Sequence, residues 1–445
     1  MVDKQTMNSS LFPRGFSTTT HFPWPLVRAE ELVTLKCGKA LRERDRRPGV
    51  VRVYGTNGQC GWHDMQMREG PGVILGRKGQ GPLGVEWCDD DYWVIDTAYF
   101  VTPKTDALDL KYFYYLVKYI GLNYLKDGTS NPSLSRDTFN SLLLPFPPIS
   151  AQQRIVHILS TLDDNIELNQ RMNETLEAMV QAVFKSWFVD FDPVHRNMDR
   201  KKRKEAKSRR LSVSSESCEY DHLFPDSFSD SGLGKIPNGW DVITIRHVIE
   251  GLFDGPHATP PKAEDGAVFL GIKNLTGTQI DLSEIRWIGE SNWDEWTRRV
   301  TPQTGDIVFT YEATLGCFAL IPPGLRCCLG RRLALVRPRQ TCGFEHFLFH
   351  TFTSTPFQRL LVERSIHGST VDRIPLLQFP EFQILWPSEK VRQQFEAIAS
   401  PIWKRIHCNQ DEARNLMGVR DTLLPKLLSG DLPVRKTKGA TEAHA

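Results

Sequence analysis

The most regular pattern of apolar and polar positions lies between Ser150 and Asp192, where apolar residues recur at alternating spacings of four and three. This spacing predicts one long helix with an apolar stripe, which would pack in a coiled coil or against a globular core. About 40 residues at roughly 1.5 Å each would span about 60 Å, more than most domain widths, and this length favours the coiled coil. The two predicted seam rows are Ile155, Leu162, Asn169, Leu176 and Val183, and Leu159, Ile166, Asn173, Val180 and Trp187.

The same stretch returns 240 residues later without an insertion, so the chain contains an internal duplication. The offset also holds upstream, where the residues LPFP at 144–147 return as ILWP at 384–387. Two seams related in this way can pack against each other with pseudo-twofold symmetry. Asn169 and Asn409 are equivalent, and there a buried polar pair would fix register, unless both side chains lie in solvent. The second seam includes Ile402, Ile406, Asn409 and Leu416.

Short apolar runs separated by Gly and Pro clusters precede each long helix and predict mostly β domains interrupted by one helix. In the first half the predicted strands are 50–54, 72–75 and 92–101, with a helix at 110–125. In the second half they are 242–245, 268–272, 306–310 and 333–336, with a helix at 344–364. The two regions share this plan but differ in sequence, whereas the long helices keep a constant register.

These elements predict a division of the chain into seven parts. The stretch at 193–234 contains the basic run RKKRKEAKSRR and then Ser-rich, acidic residues, a composition that we expect not to bury a core. The predicted parts are a disordered N-terminus at 1–20, a globular region at 21–148, a spacer helix at 149–192, a linker at 193–234, a second globular region at 235–388, a second spacer helix at 389–430 and a tail at 431–445.

Composition adds little to this picture. With 445 residues, 40% hydrophobic and 24% charged, the chain has the composition of a globular protein of two or three domains. It has no apolar run long enough for a membrane span and no apolar core of a secretory signal, so we expect a cytoplasmic location. Nine cysteines without a CxxC pair predict reduced thiols, and the net charge of +2 means that any DNA contact needs local patches.

Motifs that would indicate catalysis are weak or misplaced. The GxGxxG match at 79–84 is followed by an extended-looking run, whereas a dinucleotide site needs a helix there. The Asn-Pro at 131–132 lacks the aromatic residue that an adenine methyltransferase uses to stack the flipped base. Glu205 and Lys207 lie in the charged linker, and His346 and His350 follow the order EHxxxH, which differs from a zinc protease. We therefore expect no catalytic centre and no metal site in this chain.

Three segments of the first half carry a resemblance to a known family. They are PPxxxQQR at 147–154, LDDNIELNQRMNETLEAM at 162–179 and FKSWFVDFDPV at 184–194. With the duplication, these segments resemble the specificity subunit of type I restriction-modification systems. The resemblance implies an α+β fold in which two mixed α/β target recognition domains are separated by two long antiparallel helices, with pseudo-twofold symmetry.

The resemblance also implies function and partners. Each recognition domain would read one half of a split site in double-stranded DNA, and the chain would have no catalysis of its own. It would recruit two modification subunits, which methylate adenine with S-adenosylmethionine, and restriction subunits, which use ATP and Mg. No cofactor would belong to this chain. The alternatives are the recognition part of a fused restriction enzyme, disfavoured because we expect no catalytic domain beside it, and a protein scaffold whose duplicated heads bind no DNA.

Residues that read DNA should be polar or cationic and lie in loops, because strands and helices build the scaffold. Several of them are also ordinary turn formers, which leaves a purely structural role open for each. In the first domain the candidates are Thr56, Asn57, Gln59, Arg77, Lys78, Gln80, Ser130, Asn131, Ser133 and Arg136. In the second they are His257, Lys273, Asn274, Tyr311, Glu312, Thr314, His367, Ser369, Thr370 and Arg373. Matching the preceding strands aligns Arg77-Lys78 with Tyr311-Glu312.

Overall fold

The computed structural model describes residue 16 and residues 23–206, 219–339, 343–366 and 371–433. The chain forms two compact units, one of residues 1–169 with 412–445 and one of residues 170–411. We call them the first and second units. The boundary between them falls within both long helices, so each unit contains one part of each helix.

The first unit begins with a mainly β region and passes into the first long helix. Its strands are β1 (Leu26–Arg28), β2 (Val33–Cys37), β3 (Val51–Gly55), β4 (Gly58–His63), β5 (Gly72–Gly76), β6 (Val85–Cys88), β7 (Tyr92–Val94), β8 (Ala98–Pro103), β9 (Lys126–Asp127), β10 (Ser133–Leu134) and β11 (Leu143–Pro145). Its helices are α1 (Ala29–Leu32), α2 (Leu110–Ile120), α3 (Arg136–Asn140) and the start of α4 (Ile149–Phe188).

The second unit repeats the order of the main strands and helices and contains additional elements. Its strands are β12 (Phe228–Ser231), β13 (Gly234–Pro237), β14 (Asp241–Thr244), β15 (Ile249–Asp254), β16 (Ala267–Leu270), β17 (Leu275–Thr276), β18 (Gln279–Ile280), β19 (Arg286–Ile288), β20 (Ile307–Thr310), β21 (Phe318–Leu320), β22 (Cys327–Leu329), β23 (Leu333–Pro338) and β24 (Gln383–Trp386). Its further helices are α5 (Asp192–Ala206), α6 (Trp293–Thr297), α7 (Glu345–Thr353), α8 (Thr355–Arg364) and α9 (Glu389–Ser429), which continues into the first unit.

The sheets of the two units have the same topology. A four-stranded sheet of order β2-β8-β5-β6 in the first unit matches β15-β23-β20-β21 in the second. A three-stranded sheet of order β4-β3-β7, with one parallel pair, matches β19-β16-β22. The pair β1-β11 matches β14-β24. The duplication seen in the helices therefore extends through both globular regions, which confirms the predicted α+β class.

The central strand β5 shows why a short apolar run becomes a core strand. All of its residues are buried, because successive side chains point to opposite faces of the sheet and both faces are covered. Val73 and Leu75 join the core formed with α2, while Ile74 packs in a second cluster with Tyr54 and Val94. In the second unit Ile307 and Phe309 of β20 join one core, whereas Val308 joins another.

The two long helices run antiparallel inside each unit. In the first unit Arg420 Nη1 lies 2.8 Å from Asp163 Oδ1, and the earlier Ile155 shares a core with the later Leu428. In the second unit Asn409 contacts Asn173, while Phe184 packs on Phe395 with ring centroids 5.6 Å apart. In both units, residues later in α4 contact residues earlier in α9, so the two helices run antiparallel.

The buried asparagine pair differs from the one that the repeat indicates. Asn409 is fully buried and donates from Nδ2 to Asn173 Oδ1 at 2.8 Å, while Asn173 Nδ2 donates to the Ile406 carbonyl at 3.3 Å. The repeat equivalent of Asn409 is Asn169, which is also buried, at 6% exposure. A repeat offset identifies equivalent positions, whereas contact across an antiparallel pair depends on where the helices cross.

Three predicted helices end or break for local reasons. The helix predicted at 150–192 ends at Phe188, and Phe191, with a left-handed φ of 55°, separates it from α5, which begins at Asp192. The helix predicted at 110–125 ends at Ile120, and Gly121 follows with a φ of 70°. The helix predicted at 344–364 breaks at Ser354, whose extended backbone and side-chain cap start α8.

The expectation that the stretch at 193–234 cannot bury a core is wrong for its described residues. Asp221 is 1% exposed and binds Arg196 at 2.7 Å and Arg200 at 2.9 Å, which fixes α5 to the following turn. Val194 and Phe224 are buried in the core of the second unit. Part of the basic run is thus a docked helix, held by a carboxylate that lies some twenty residues further along the chain.

The aromatic residues at the end of α4 belong to the same core. Trp187 packs against Phe224 with ring centroids 5.2 Å apart, and Phe188 packs against Phe395 at 5.4 Å. Phe191 meets Phe228 at 5.8 Å. Aromatic pairs at these distances contribute about 0.5–1.5 kcal/mol each beyond burial. These side chains anchor the second unit to its own part of α4.

Candidate nucleic-acid interface

Four loops of the first unit meet at one end of its four-stranded sheet. Backbone hydrogen bonds join them: Arg77 N donates to the Thr97 carbonyl at 3.0 Å and Leu134 N donates to the Arg77 carbonyl at 2.7 Å. Gly84 N donates to the Thr56 carbonyl at 2.8 Å. The loops are residues 56–57, 77–84, 95–97 and 126–136, which we call the first loop cluster. All the first-domain candidates except Gln59 lie in it, and Gln59 is exposed on β4.

Two arginines of this cluster flank one buried tyrosine. The guanidinium carbons of Arg77 and Arg136 each lie 5.5 Å from the Tyr99 ring centroid. Arg136 Nη2 also donates to Cys37 Sγ at 3.0 Å, and Arg77 Nη1 donates to the Asp96 carbonyl at 3.2 Å. Tyr99 is 3% exposed. The ring and the thiol hold both cations in place, which lowers the entropy that binding a ligand would cost.

Other candidates in the first loop cluster hold the loops together. The Thr56 hydroxyl donates to the Lys78 carbonyl at 2.6 Å, and Gln80 Nε2 donates to the Ser130 carbonyl at 2.8 Å. Lys78 Nζ lies 3.2 Å from Asp96 Oδ2, and both side chains are partly exposed. Asn57, Ser130 and Asn131 are exposed, and Ser133 forms an isolated bridge with Lys78.

Sequence reasoning missed three residues that build or support the cluster. Lys126 Nζ donates to the Gly79 and Gly81 carbonyls at 3.1 and 2.9 Å, so it clamps the loop after β5. Tyr99 and Cys37 form the platform beneath the arginines. Tyr99 lies in an apolar run and Cys37 lies at the end of another, so their sequence context predicts buried strand residues and indicates no role at a DNA interface.

The second unit builds its cluster on the same backbone. Tyr311 N donates to the Arg332 carbonyl at 3.2 Å and Ile374 N donates to the Tyr311 carbonyl at 2.8 Å, as Arg77 and Leu134 do in the first unit. The bridge between Lys78 and Ser133 also returns, between Glu312 and Arg373. The structure thus places Tyr311 and Glu312 at the positions of Arg77 and Lys78. Residues 311–316, 330–332 and 372–374 form the second loop cluster.

Side chains at these matched positions differ in chemistry. Lys78 pairs with Asp96 in the first cluster, whereas Glu312 Oε1 lies 3.8 Å from Arg332 Nε in the second, so the charges are exchanged. Burial raises the pKa of Tyr311 to about 12, so its hydroxyl is neutral at physiological pH and can donate a hydrogen bond. Thr314 and Arg373 are exposed.

The remaining second-domain candidates fall into three groups. His257 and Lys273 are exposed, with His257 Nε2 3.1 Å from Asp254 Oδ2 and Lys273 Nζ 2.9 Å from Glu284 Oε2. Asn274 is 5% exposed, and its amide accepts from Gly271 N and donates to two carbonyls within 3.0 Å. We withdraw Asn274 as a reader, because its hydrogen-bonding groups hold its own loop. His367, Ser369 and Thr370 lie outside the described residues.

The histidine pair of the EHxxxH segment is part of a buried network. His346 Nδ1 lies 2.7 Å from Glu396 Oε2, and Trp403 Nε1 donates to His350 Nε2 at 3.1 Å. Burial lowers the pKa of His350 to about 3, so it is neutral at physiological pH. Within the described ranges no group of His, Cys, Asp or Glu has metal-binding geometry, and no helix there is long and apolar enough to cross a membrane.

Comparisons with known proteins agree with this architecture. Residues 23–178 match the family model of the type I restriction modification DNA specificity domain. The chain is 25% identical over 346 residues to the specificity subunit of the type I restriction enzyme MjaIX of Methanocaldococcus jannaschii, covering 76% of this chain and 72% of that protein. It is 24% identical over 390 residues to the HindI specificity subunit of Haemophilus influenzae, covering 77% and 82%.

Among solved structures, the S subunit of a type I restriction-modification system from M. genitalium matches with a TM-score of 0.55 at 15% identity, covering 94% of this chain and 98% of that one. This likeness supports the fold. The family resemblance that the sequence motifs indicate is confirmed.

Proposed function

We propose that this chain, a relative of the type I restriction-modification specificity subunits, reads a two-part sequence in double-stranded DNA. Each loop cluster would read one half of the target. The proposal rests on the clusters, because they present polar and cationic side chains from loops that the sheets hold in fixed positions.

The observation that carries the proposal is one backbone framework with two sets of side chains. Equivalent hydrogen bonds hold Arg77 in one unit and Tyr311 in the other. A planar guanidinium such as that of Arg77 can donate two hydrogen bonds to guanine O6 and N7, whereas a carboxylate such as that of Glu312 accepts from cytosine N4. We therefore infer that the two half-sites differ in sequence.

We further infer that the paired long helices set the number of base pairs between the half-sites. Both helices continue through the boundary between the units, and their antiparallel pairing carries a buried polar contact. A buried hydrogen bond between two asparagines is satisfied in one helix register, so it favours one spacing. In symmetric DNA-binding dimers, spacing is likewise a property of the element that joins the two readers.

Following the same resemblance, we infer that the chain is non-catalytic and acts through partners. Two modification subunits would supply adenine methylation with S-adenosylmethionine, and restriction subunits would supply ATP-dependent cleavage with Mg. The chain would thereby direct chemistry performed by other proteins.

Genome-wide mapping of N6-methyladenine with and without this gene tests the proposal. We expect a motif of two short specific halves with a fixed gap, methylated in the parent and unmethylated in the deletion strain. An unchanged methylation map, with no duplex binding by the complex of this chain with its modification subunits, would instead favour a protein scaffold.

A further inference from the structure

The connection between β2 and β3 of the first unit, residues 38–50, carries an unusual concentration of positive charge. It contains Lys39 and four arginines against two acidic residues, although the whole chain has a net charge of only +2. We call residues 38–50 the arginine loop. The matching connection in the second unit, residues 255–266, contains one lysine and two acidic residues. The charge is therefore a property of one unit and does not belong to the shared fold.

The arginine loop is fixed at both ends. At its start, Lys39 N donates to the Val94 carbonyl at 2.9 Å and Trp93 Nε1 donates to the Lys39 carbonyl at 3.1 Å. At its end, Arg46 Nη1 donates to the Cys60 carbonyl at 2.5 Å, and Arg47 Nε lies 3.0 Å from Asp64 Oδ2. The loop thus lies along β4, one of the two edge strands of the three-stranded sheet.

Two arginines between these ends project into solvent. Arg42 and Arg44 are exposed, and the Arg44 side chain retains 74% of its accessible surface. Within the described part of the chain, the Arg44 guanidinium has only a 3.8 Å contact with its neighbour Asp45, and Arg42 has no side-chain hydrogen bond or ion pair. Their guanidinium groups are available to an anionic partner.

The arginine loop adjoins the first loop cluster. Cys37, directly before the loop, accepts hydrogen bonds from Arg136 and Arg77, and Gly38 N donates to the Ala98 carbonyl at 3.2 Å. Cys60, which holds Arg46, is three residues beyond Asn57 of the cluster, about 10 Å along an extended strand. A DNA strand carries a phosphate about every 3.4 Å of helix axis, so this distance corresponds to about three phosphates.

We propose that the arginine loop binds backbone phosphates of double-stranded DNA beside the bases read by the first loop cluster. This inference rests on the proposed function and adds a second contact with DNA, one that does not depend on the base sequence. Guanidinium groups that carry phosphate contacts position a protein on the duplex without reading bases.

The test uses the full-length chain in complex with its modification subunits and a fluorescein-labelled DNA duplex of mixed sequence, with affinity measured by anisotropy across a series of KCl concentrations. Arg42→Gln/Arg44→Gln removes both exposed cations. Arg359→Gln/Arg364→Gln removes two exposed arginines of α8 in the second unit and is the matched control. Equal melting temperatures of both variants and the parent establish that the fold is retained, as expected for exposed positions.

Each phosphate contact contributes about 0.9 to the slope of log K against log salt, so Arg42→Gln/Arg44→Gln should lower that slope by about 1.8. The control should keep the parental slope. Equal slopes for all three proteins would overturn the arginine-loop contact and leave the proposed function standing. If Arg42→Gln/Arg44→Gln loses binding to the modification subunits and keeps the parental salt slope, the arginine-loop contact with DNA is overturned in favour of an acidic surface on a protein partner. No duplex binding by the parental complex at any salt concentration would overturn both.

Discussion

Replacement of the buried Asn173 and Asn409 tests whether one polar contact sets the register of the long helices. Asn409 is fully buried, and its Nδ2 donates to Asn173 Oδ1 at 2.8 Å. Asn409→Leu leaves that acceptor buried without its donor, and Asn173→Leu leaves the Asn409 amide without its partner. An unsatisfied buried polar group costs about 1–3 kcal/mol, so each single variant should lower the free energy of unfolding by about that amount.

The double variant Asn173→Leu/Asn409→Leu should recover most of this loss, because replacing both partners by apolar groups is nearly neutral or stabilising. The expected coupling is about 0.5–3 kcal/mol, measured by urea unfolding of the full chain followed through helical circular dichroism. Asn415→Leu, at an exposed position of α9, is the matched control and should change stability by less than about 0.5 kcal/mol.

The same variants test the link to spacing. If the pair selects one register, the stable double variant should methylate targets with more than one gap between the half-sites, whereas the control keeps a single gap. Additive losses in the single and double variants would refute the coupling. A coupled double variant with an unchanged gap would refute the role in spacing.

Three further outcomes are expected. Arg77→Ala/Lys78→Ala should weaken binding to the target duplex by about 1–3 kcal/mol for each base-specific interaction that the variant removes, measured by anisotropy, and full affinity would exclude this loop from the interface. Asp221→Ala should lower the free energy of unfolding of the second unit by up to about 3–5 kcal/mol, because two arginines lose their buried partner. The control Asp226→Ala removes one exposed ion pair and should lower it by under about 1 kcal/mol, with both variants measured by thermal melts. Burial lowers the pKa of His350 to about 3, below its ordinary 6.5, so the unfolded chain binds the proton more readily and the folded protein should lose stability as the pH drops from 6.5 towards 3. His350→Gln should flatten that fall. Identical pH profiles of the melting temperature for the variant and the parent would contradict the lowered pKa of His350.

The long helices and the duplication could be predicted because their signals are local and occur twice. A seven-residue apolar repeat specifies a helix wherever it packs, and the constant offset specifies a second copy. Short buried strands such as β5 and β20 were likewise visible as apolar runs, because covering both faces of a strand requires apolar residues at successive positions.

Features that depend on distant partners could not be predicted in the same way. The basic run at 200–210 has the composition of a solvated tether, and its part in α5 docks because Asp221 and Phe224 contact that helix. Contact between Asn173 and Asn409 depends on the crossing of two helices. Periodicity along one helix does not specify that crossing.

The candidate loops were predicted as groups better than as single residues. Gly and Asn clusters identify loops, whereas a side chain's role depends on what packs against it. Asn274 has the sequence features of a DNA-reading residue, but its side-chain amide is hydrogen-bonded within its own loop. Tyr99 has those of a core residue, but its ring packs against the guanidinium groups of Arg77 and Arg136.

The claim that each loop cluster reads one half of the target is tested most directly by mapping N6-methyladenine in strains that carry variants of one cluster at a time. Arg77→Ala/Lys78→Ala should relax or change only one half of the methylated motif, and Glu312→Ala/Arg373→Ala should affect only the other half. If both variants alter the same half, or either alters both halves together, the assignment of one half-site to each cluster is contradicted.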